Sequence, residues 1–347
     1  MLLARYTVLM RRLTLAIVLM AFVTPGITSA QFLLPGFDGS VRILMNPIHP
    51  RPGDTVTVSL ESSLADLSRS TVSWKIDGRP IGGAQKTITL TAPSLGSQTD
   101  VRADIATPEG SLLVARTTIT PTEMDILYDS DSYVPAFYAG RALPSAGTTL
   151  RLETVTRFKK SNGSFVPTSD ILYTWRRNGQ VVGNVSGRGK SSATMPSPLL
   201  FSTDTISVEA ESVDGIFSGT ALAVIRSADP VVRLVEDHPL FGLRFNHSFK
   251  SSESVVGKEV VVAAIPFFAS AKTPTDSDLL YEWTVNGRRV ETKDATRNAL
   301  ALGAQEGGTA RIGLSLSHAA NIFFGADNRW TISFASETSV QNPFEIR

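Results

Sequence analysis

The side chains able to do chemistry are few and widely spaced. His49, His238, His247 and His318 fall in separate stretches, with no H-x-x-x-H or HExxH spacing to set two imidazoles on one helix face for a metal. Cysteine is absent, which removes thiolate ligands, cysteine nucleophiles, disulfides and a lipid-modified cysteine together. Neither a G-x-S-x-G elbow nor a glycine-rich phosphate loop occurs. A glycosidase would need two acids held across a cleft, and nothing in the sequence sets up such a pair. No enzyme is expected.

Carboxylates are better grouped. Asp129 and Asp131 lie in "YDSDSY", Asp276 and Asp278 in "TDSD", and Glu236 and Asp237 in "VEDH". Acids two apart near a domain junction supply the hard oxygen ligands that Ca²⁺ takes. The same residues also make turns, because Asp accepts hydrogen bonds from nearby backbone N–H groups. Asp129, Asp131, Asp276 and Asp278 are the candidate calcium ligands, and no other cofactor is expected.

Binding chemistry points to two longer stretches. "RFKKSNGSFVPTS" (157–169) carries Phe158, Lys159, Lys160 and Phe165, and "IPFFASAKTPTDS" (265–277) carries Phe267 and Phe268. Aromatics beside lysines on loops can form an apolar contact with a polar rim. Folding back as a cover on the core is the favoured reading of these aromatics, since large apolar side chains usually end up buried.

Each of these stretches leads into a pattern that occurs three times: "SRSTVSWKIDGRPIG" (68–82), "SDILYTWRRNGQVVG" (169–183) and "SDLLYEWTVNGRRVE" (277–291). Trp74, Trp175 and Trp283 align at spacings of 101 and 108 residues, each followed at +3 and +4 by Asp-Gly or Asn-Gly. A glycine upstream opens an alternating run in each copy: Val56, Val58, Leu60; Leu150, Leu152; Val260, Val262, Ala264. Period two indicates a strand with one buried face. Asp-Gly and Asn-Gly suit the two-residue hairpin, whose type I′ turn needs positive φ at both central residues. A further alternating strand closes each copy at "DVRADIA", "DTISVEAES" and "ARIGLSLS", and the third copy then shows a longer connection, "HAANIFFGADN". No window shows a sustained helical period. Short strands at this density predict antiparallel β-sandwiches, with each tryptophan as the core anchor between sheets.

The tryptophan, turn and strand order resembles the immunoglobulin-like domains of bacterial exported and surface proteins. The PKD-like type with its Y-x-W strand is closest, seen here as "YTW" and "YEW". The resemblance implies an all-β chain of tandem sandwiches that act as spacers with free binding loops at their ends.

The 347 residues accommodate this. Arg5, Arg11 and Arg12, the apolar run "LTLAIVLMAFV" and small residues at Thr28 and Ala30 form the three parts of a secretory signal, too short for a comfortable membrane span. The expected organisation is a signal peptide over 1–30 and Ig-like domains over 31–121, 122–228 (PKD-like) and 229–347. Cleavage after Ala30 takes the net charge from +1 to −2. No basic stripe alternates with aromatics to meet nucleic acid, and no second apolar run is long enough to span a bilayer.

The expectation is a non-catalytic exported array, periplasmic, extracellular or cell-surface associated, whose partner is a cell-envelope protein or glycan. An accessory component of a pilus or secretion apparatus, or a carbohydrate-binding module beside a separate enzyme, is the alternative.

Overall fold

A computed structural model describes residues 41–335 apart from 64, 83–84, 294–295 and 305–306. The expected signal peptide lies outside these residues. What is described is three tandem Ig-like sandwiches whose strands pair antiparallel, except for Ser252–Val256 and Asn321–Ala335 of the third, which pair in parallel. Among the described residues no helix is long and apolar enough to cross a membrane.

In the first sandwich one sheet has the order β1 (Arg42–Asn46), β2 (Thr55–Glu61), β5 (Thr87–Thr91). The other runs β4 (Arg79–Ile81), β3 (Thr71–Ile76), β6 (Thr99–Ala106), β7 (Leu112–Ile119). The second sandwich repeats this with β13 (Ser192–Pro196), β9 (Thr149–Arg157), β8 (Glu123–Ser130) against β11 (Gln180–Val181), β10 (Ile171–Arg177), β14 (Thr203–Ser212), β15 (Ser218–Arg226). A two-residue β12 (Gly187–Arg188) also pairs with β10.

The third sandwich is larger. One sheet has the order β17 (Gly242–Ser248), β16 (Val231–His238), β19 (Glu259–Phe267), β22 (Ala299–Gly303). The other has β18 (Ser252–Val256), β24 (Asn321–Ala335), β23 (Gly308–His318), β20 (Leu279–Val285), β21 (Arg288–Val290). The stretch read as a long connection is itself strand. His318 pairs with Asn321 across a tight turn, and β24 runs on, held by β23 on one side and by β18, in parallel, on the other.

Each sandwich has its own core around the tryptophan that precedes its Asx-Gly turn, and the third also buries Trp330. Trp74, Trp175 and Trp283 have no exposed surface. Removing an indole from water buries about 200 Å², worth about 5 kcal/mol gross at ~25 cal/mol per Å². The ring N–H needs an acceptor once buried, and each finds a backbone carbonyl: Trp74 to Gln85 at 2.7 Å, Trp175 to Lys190 at 2.9 Å and Trp283 to Arg297 at 2.9 Å.

The Asx-Gly turns do more than reverse the chain. Asp77, Asn178 and Asn286 have φ of 49°, 51° and 50°, with the following glycines also positive. Each Oδ1 accepts an N–H from the neighbouring strand: Asp100 at 2.9 Å, Thr205 at 2.9 Å and Arg311 at 2.9 Å. A residue here must tolerate the left-handed region and carry a short acceptor, and Asp and Asn do both.

Candidate interaction surface

The loops ahead of the second and third tryptophans turn inward. In the first of them Phe158 is fully buried, stacked on Phe217 with ring centroids 5.8 Å apart. Phe158 is therefore a core residue and not a contact residue. The reason is local: Lys159 bridges Phe165, Lys160 N–H bonds to Ser164, and Asn162 Oδ1 accepts from Ser164, so a small hairpin folds Phe158 under. Phe165, on the returning arm, is 53% exposed. Lys159 and Lys160 are half-buried, because Gly96 of the first sandwich sits against them. A Cβ on Gly96 would lie 3.0 Å from the Lys160 carbonyl and 3.3 Å from the Lys159 stem. The two lysines belong to the joint between sandwiches.

That joint has further ties. Arg51 donates to the Met124 carbonyl at 2.5 Å and to Asp125 at 2.8 Å. His49 Nδ1 lies 3.1 Å from the Ser218 hydroxyl, and burial lowers the imidazole pKa against a smaller opposing pull from Glu209. Thr122 N–H bonds to the Pro50 carbonyl, and Ala228 N–H bonds to Pro144 in the same way one sandwich on.

The second loop makes the other joint. Tyr133 N–H donates to Ala269, and Phe268 N–H donates to Tyr133, both at 2.7 Å. Ser145 Oγ donates to the Phe268 carbonyl at 2.6 Å, and Asn321 Nδ2 donates to Ala146 at 2.8 Å. Tyr138 meets Phe267 and Phe268 edge-on, at 5.7 and 5.9 Å. Phe268 is buried and Phe267 half-buried here, so both serve the chain's own interface and are not free for a partner. The segment 131–148, which connects β8 to β9, supplies the opposing surface.

Three of the acidic candidates accept backbone hydrogen bonds. Asp276 accepts N–H bonds from Lys272 and Asp278, which hold its carboxyl below the usual carboxylate range. Asp131 accepts from Thr149 N–H at 2.6 Å, and Asp129 from Ser130 N–H at 2.8 Å. Among the described residues no group of three or more His, Cys, Asp or Glu is placed to hold a metal.

An exposed apolar surface that the sequence reading missed lies beside the second joint. The β16–β17 hairpin turns through His238–Phe241 and leaves Leu240 83% and Phe241 75% exposed. Phe137, from segment 131–148, packs edge-on against Phe245 of β17 at 4.3 Å while remaining 61% exposed. With Leu243 and Arg244 these rings line a shallow concavity continuous with the joint. His238 fixes the turn, accepting Leu240 N–H at 3.1 Å with its ring 4.7 Å from Phe241. Arg244, paired with Glu236 at 3.0 Å, gives a polar rim. The available signal was "HPLFG", two large apolar residues in a turn where polar ones are usual.

No family model matches the sequence, and no curated protein does. Solved structures with similar strand arrays include the three N-terminal domains of the bacteriophage RB49 highly immunogenic outer capsid protein, 14% identical, covering 85% of this chain and 98% of that one at a TM-score of 0.23. Another is the central fibronectin-III array of RIM-binding protein, 12% identical over 85% and 96% of the two chains at 0.30. The fibronectin(III)-like modules of Clostridium thermocellum CbhA are 12% identical over 54% and 95% at 0.25.

Proposed function

We propose that the chain is a non-catalytic spacer and binding array of the cell envelope, exported by its N-terminal segment, that contacts an envelope protein or glycan through the patch at its second joint. One observation carries the reading: the loops ahead of the second and third tryptophans are committed to direct joints, while Phe137, Leu240 and Phe241 stay in water beside one of them. Stiff joints suit a spacer, and an aromatic patch beside a joint is presented at a fixed angle.

The histidines support a non-catalytic role. His49 meets Ser218, His238 caps its own turn, His247 pairs with Glu253 at 2.9 Å and His318 contacts the Ser270 carbonyl at 2.9 Å. Each has a structural task in a different place. The test is retention of the protein on isolated envelope fractions. Leu240→Ser combined with Phe241→Ser should abolish retention with the melting curve unmoved. Retention equal to that of the unaltered protein would reject the patch.

A second reading, an accessory part of a pilus or secretion apparatus, is favoured by Leu222 and Val224, aliphatic and about as exposed as surface polar residues on the last strand of the second sandwich.

A further inference from the structure

β15 ends its sheet. It pairs with β14 through nine successive residues without a bulge, from Thr203↔Arg226 to Glu211↔Ser218, and among the described residues it joins no other strand in a ladder, although the start of β8 lies beside its first residues. A flat edge of this kind offers a row of open backbone groups to another chain. Several other edges of the molecule carry guards: β4 holds Pro80, β13 ends in Pro196, β21 carries Arg288 and Arg289, and β17 is bulged. β7, the equivalent strand of the first sandwich, places Arg116 in mid-edge. At the corresponding place β15 has Leu222, 64% exposed, with Val224 at 60% beside it.

The charges flanking this apolar middle are arranged by sign. Arg226 stands at one end of β15 and Glu211 lies across from its other end, and among the described residues neither forms an ion pair. An edge that is positive at one end, negative at the other and aliphatic between is complementary to itself when turned end for end. We propose that β15 is a homodimer edge, pairing antiparallel with β15 of a second copy about a two-fold axis at Ala223.

The register follows from side-chain alternation and from the chain's own ties. Ser218 is already held by Thr122 and His49, so new pairing runs over Thr220–Arg226. Directly opposed residues of an antiparallel pair share a face. Leu222 then meets Val224 of the second copy, and Thr220 meets Arg226 of the second copy. Strands lie about 4.8 Å apart, so that arginine stands about 10 Å, backbone to backbone, from Glu209, within side-chain reach of Glu209 and Glu211. The two-fold axis makes each contact twice. The Pro144 clip on Ala228 ends the pairing, since proline has no N–H to extend it.

The test is sedimentation velocity of the exported chain over a range of concentrations. Mass should rise from one copy towards two. Arg226→Glu and Glu211→Arg, both at exposed positions, should each weaken association by about tenfold or more by setting like charges together. The double variant should regain most of the loss, and Leu222→Lys should leave a monomer. A monomer at every concentration overturns the proposal, as does a dimer indifferent to these changes or single losses that the double variant does not restore. A dimer broken only by Leu240→Ser with Phe241→Ser would place self-association on the aromatic patch instead.

Discussion

Tyr133 and Ala269 form an antiparallel bridge between the second and third sandwiches, 136 positions apart in the chain, with Tyr133 N–H donating to Ala269 at 2.7 Å. Ladder hydrogen bonding is the means by which one sheet is built, and here it joins two domains. Gly147 lies at its edge with φ of +89°, and a Cβ there would come 2.6 Å from Asn321 Nδ2. Gly147→Ala should therefore loosen the joint through backbone strain and a clash together. Because the chain has no cysteine, spin labels on Thr194→Cys and Ser315→Cys report the angle cleanly. A narrow distance distribution that broadens with Gly147→Ala is the expected outcome. A broad distribution in the parent would show that the sandwiches move freely.

The two phenylalanines of the 157–169 stretch should behave oppositely. Phe158→Ser removes a fully buried ring and should cost the second sandwich about 3–5 kcal/mol. Phe165→Ser changes an exposed residue and should stay within about 0.5 kcal/mol. Urea denaturation followed by tryptophan fluorescence separates them. Equal effects would mean that the hairpin does not fold Phe158 under.

Trp175→Ala should destabilise the same sandwich by about 3–5 kcal/mol, a large share of the ~5–15 kcal/mol a domain has. Trp175→Phe should cost less, because the ring space is mostly refilled and the main remaining loss is the indole N–H bond to the Lys190 carbonyl. Loss of the second melting transition in the alanine variant, with the other two kept, is the expected calorimetric trace. An unchanged trace would place Trp175 outside the core.

How far these features could be read beforehand depended on range. The alternation of Val56, Val58 and Leu60, and the Asp77-Gly78 turn, are set by residues one to four positions apart, so a linear pattern carries them. Whether Phe158 or Phe165 goes inside depends on a hairpin closing over Phe217, some 60 positions away, and both residues look alike in a list of loop aromatics. What covers Phe267 and Phe268 is segment 131–148 of another sandwich, and no local pattern around 265–277 announces it. The first part of β24, 321–328, read as a connection because its alternation breaks near Gly325, and its pairing with β23 from Asn321 to Phe334 shows one continuous strand.

Calcium gives a clean contrast. The Asp276 carboxyl already accepts two backbone N–H groups, and Asp131 caps Thr149. Oxygens so committed are poor ligands for an ion that takes about six to eight. Adding calcium, or removing it with chelator, should leave the melting temperature within a degree or so of its starting value, small against the ~2–8 °C per kcal/mol expected of domains this size. A rise of several degrees that chelator reverses would establish a calcium site.

Acidification should loosen the first joint through His49. Burial lowers its pKa below the ordinary 6.5, with Glu209 pulling the other way more weakly. The unfolded or undocked chain therefore binds the proton first, and stability falls as pH drops from about 6.5 towards the lower folded value. Carboxylates with depressed pKa, Asp104 and Asp276 among them, act in a separate window, keeping their contribution above the ordinary 3.8 and losing it below. His49→Gln retains a group able to bond Ser218 but cannot titrate. Between pH 7.5 and 5 the parent should lose more melting temperature than His49→Gln, with most of the difference developing below 6.5. Parallel curves would show that His49 stays in water and that the Ser218 contact does not form.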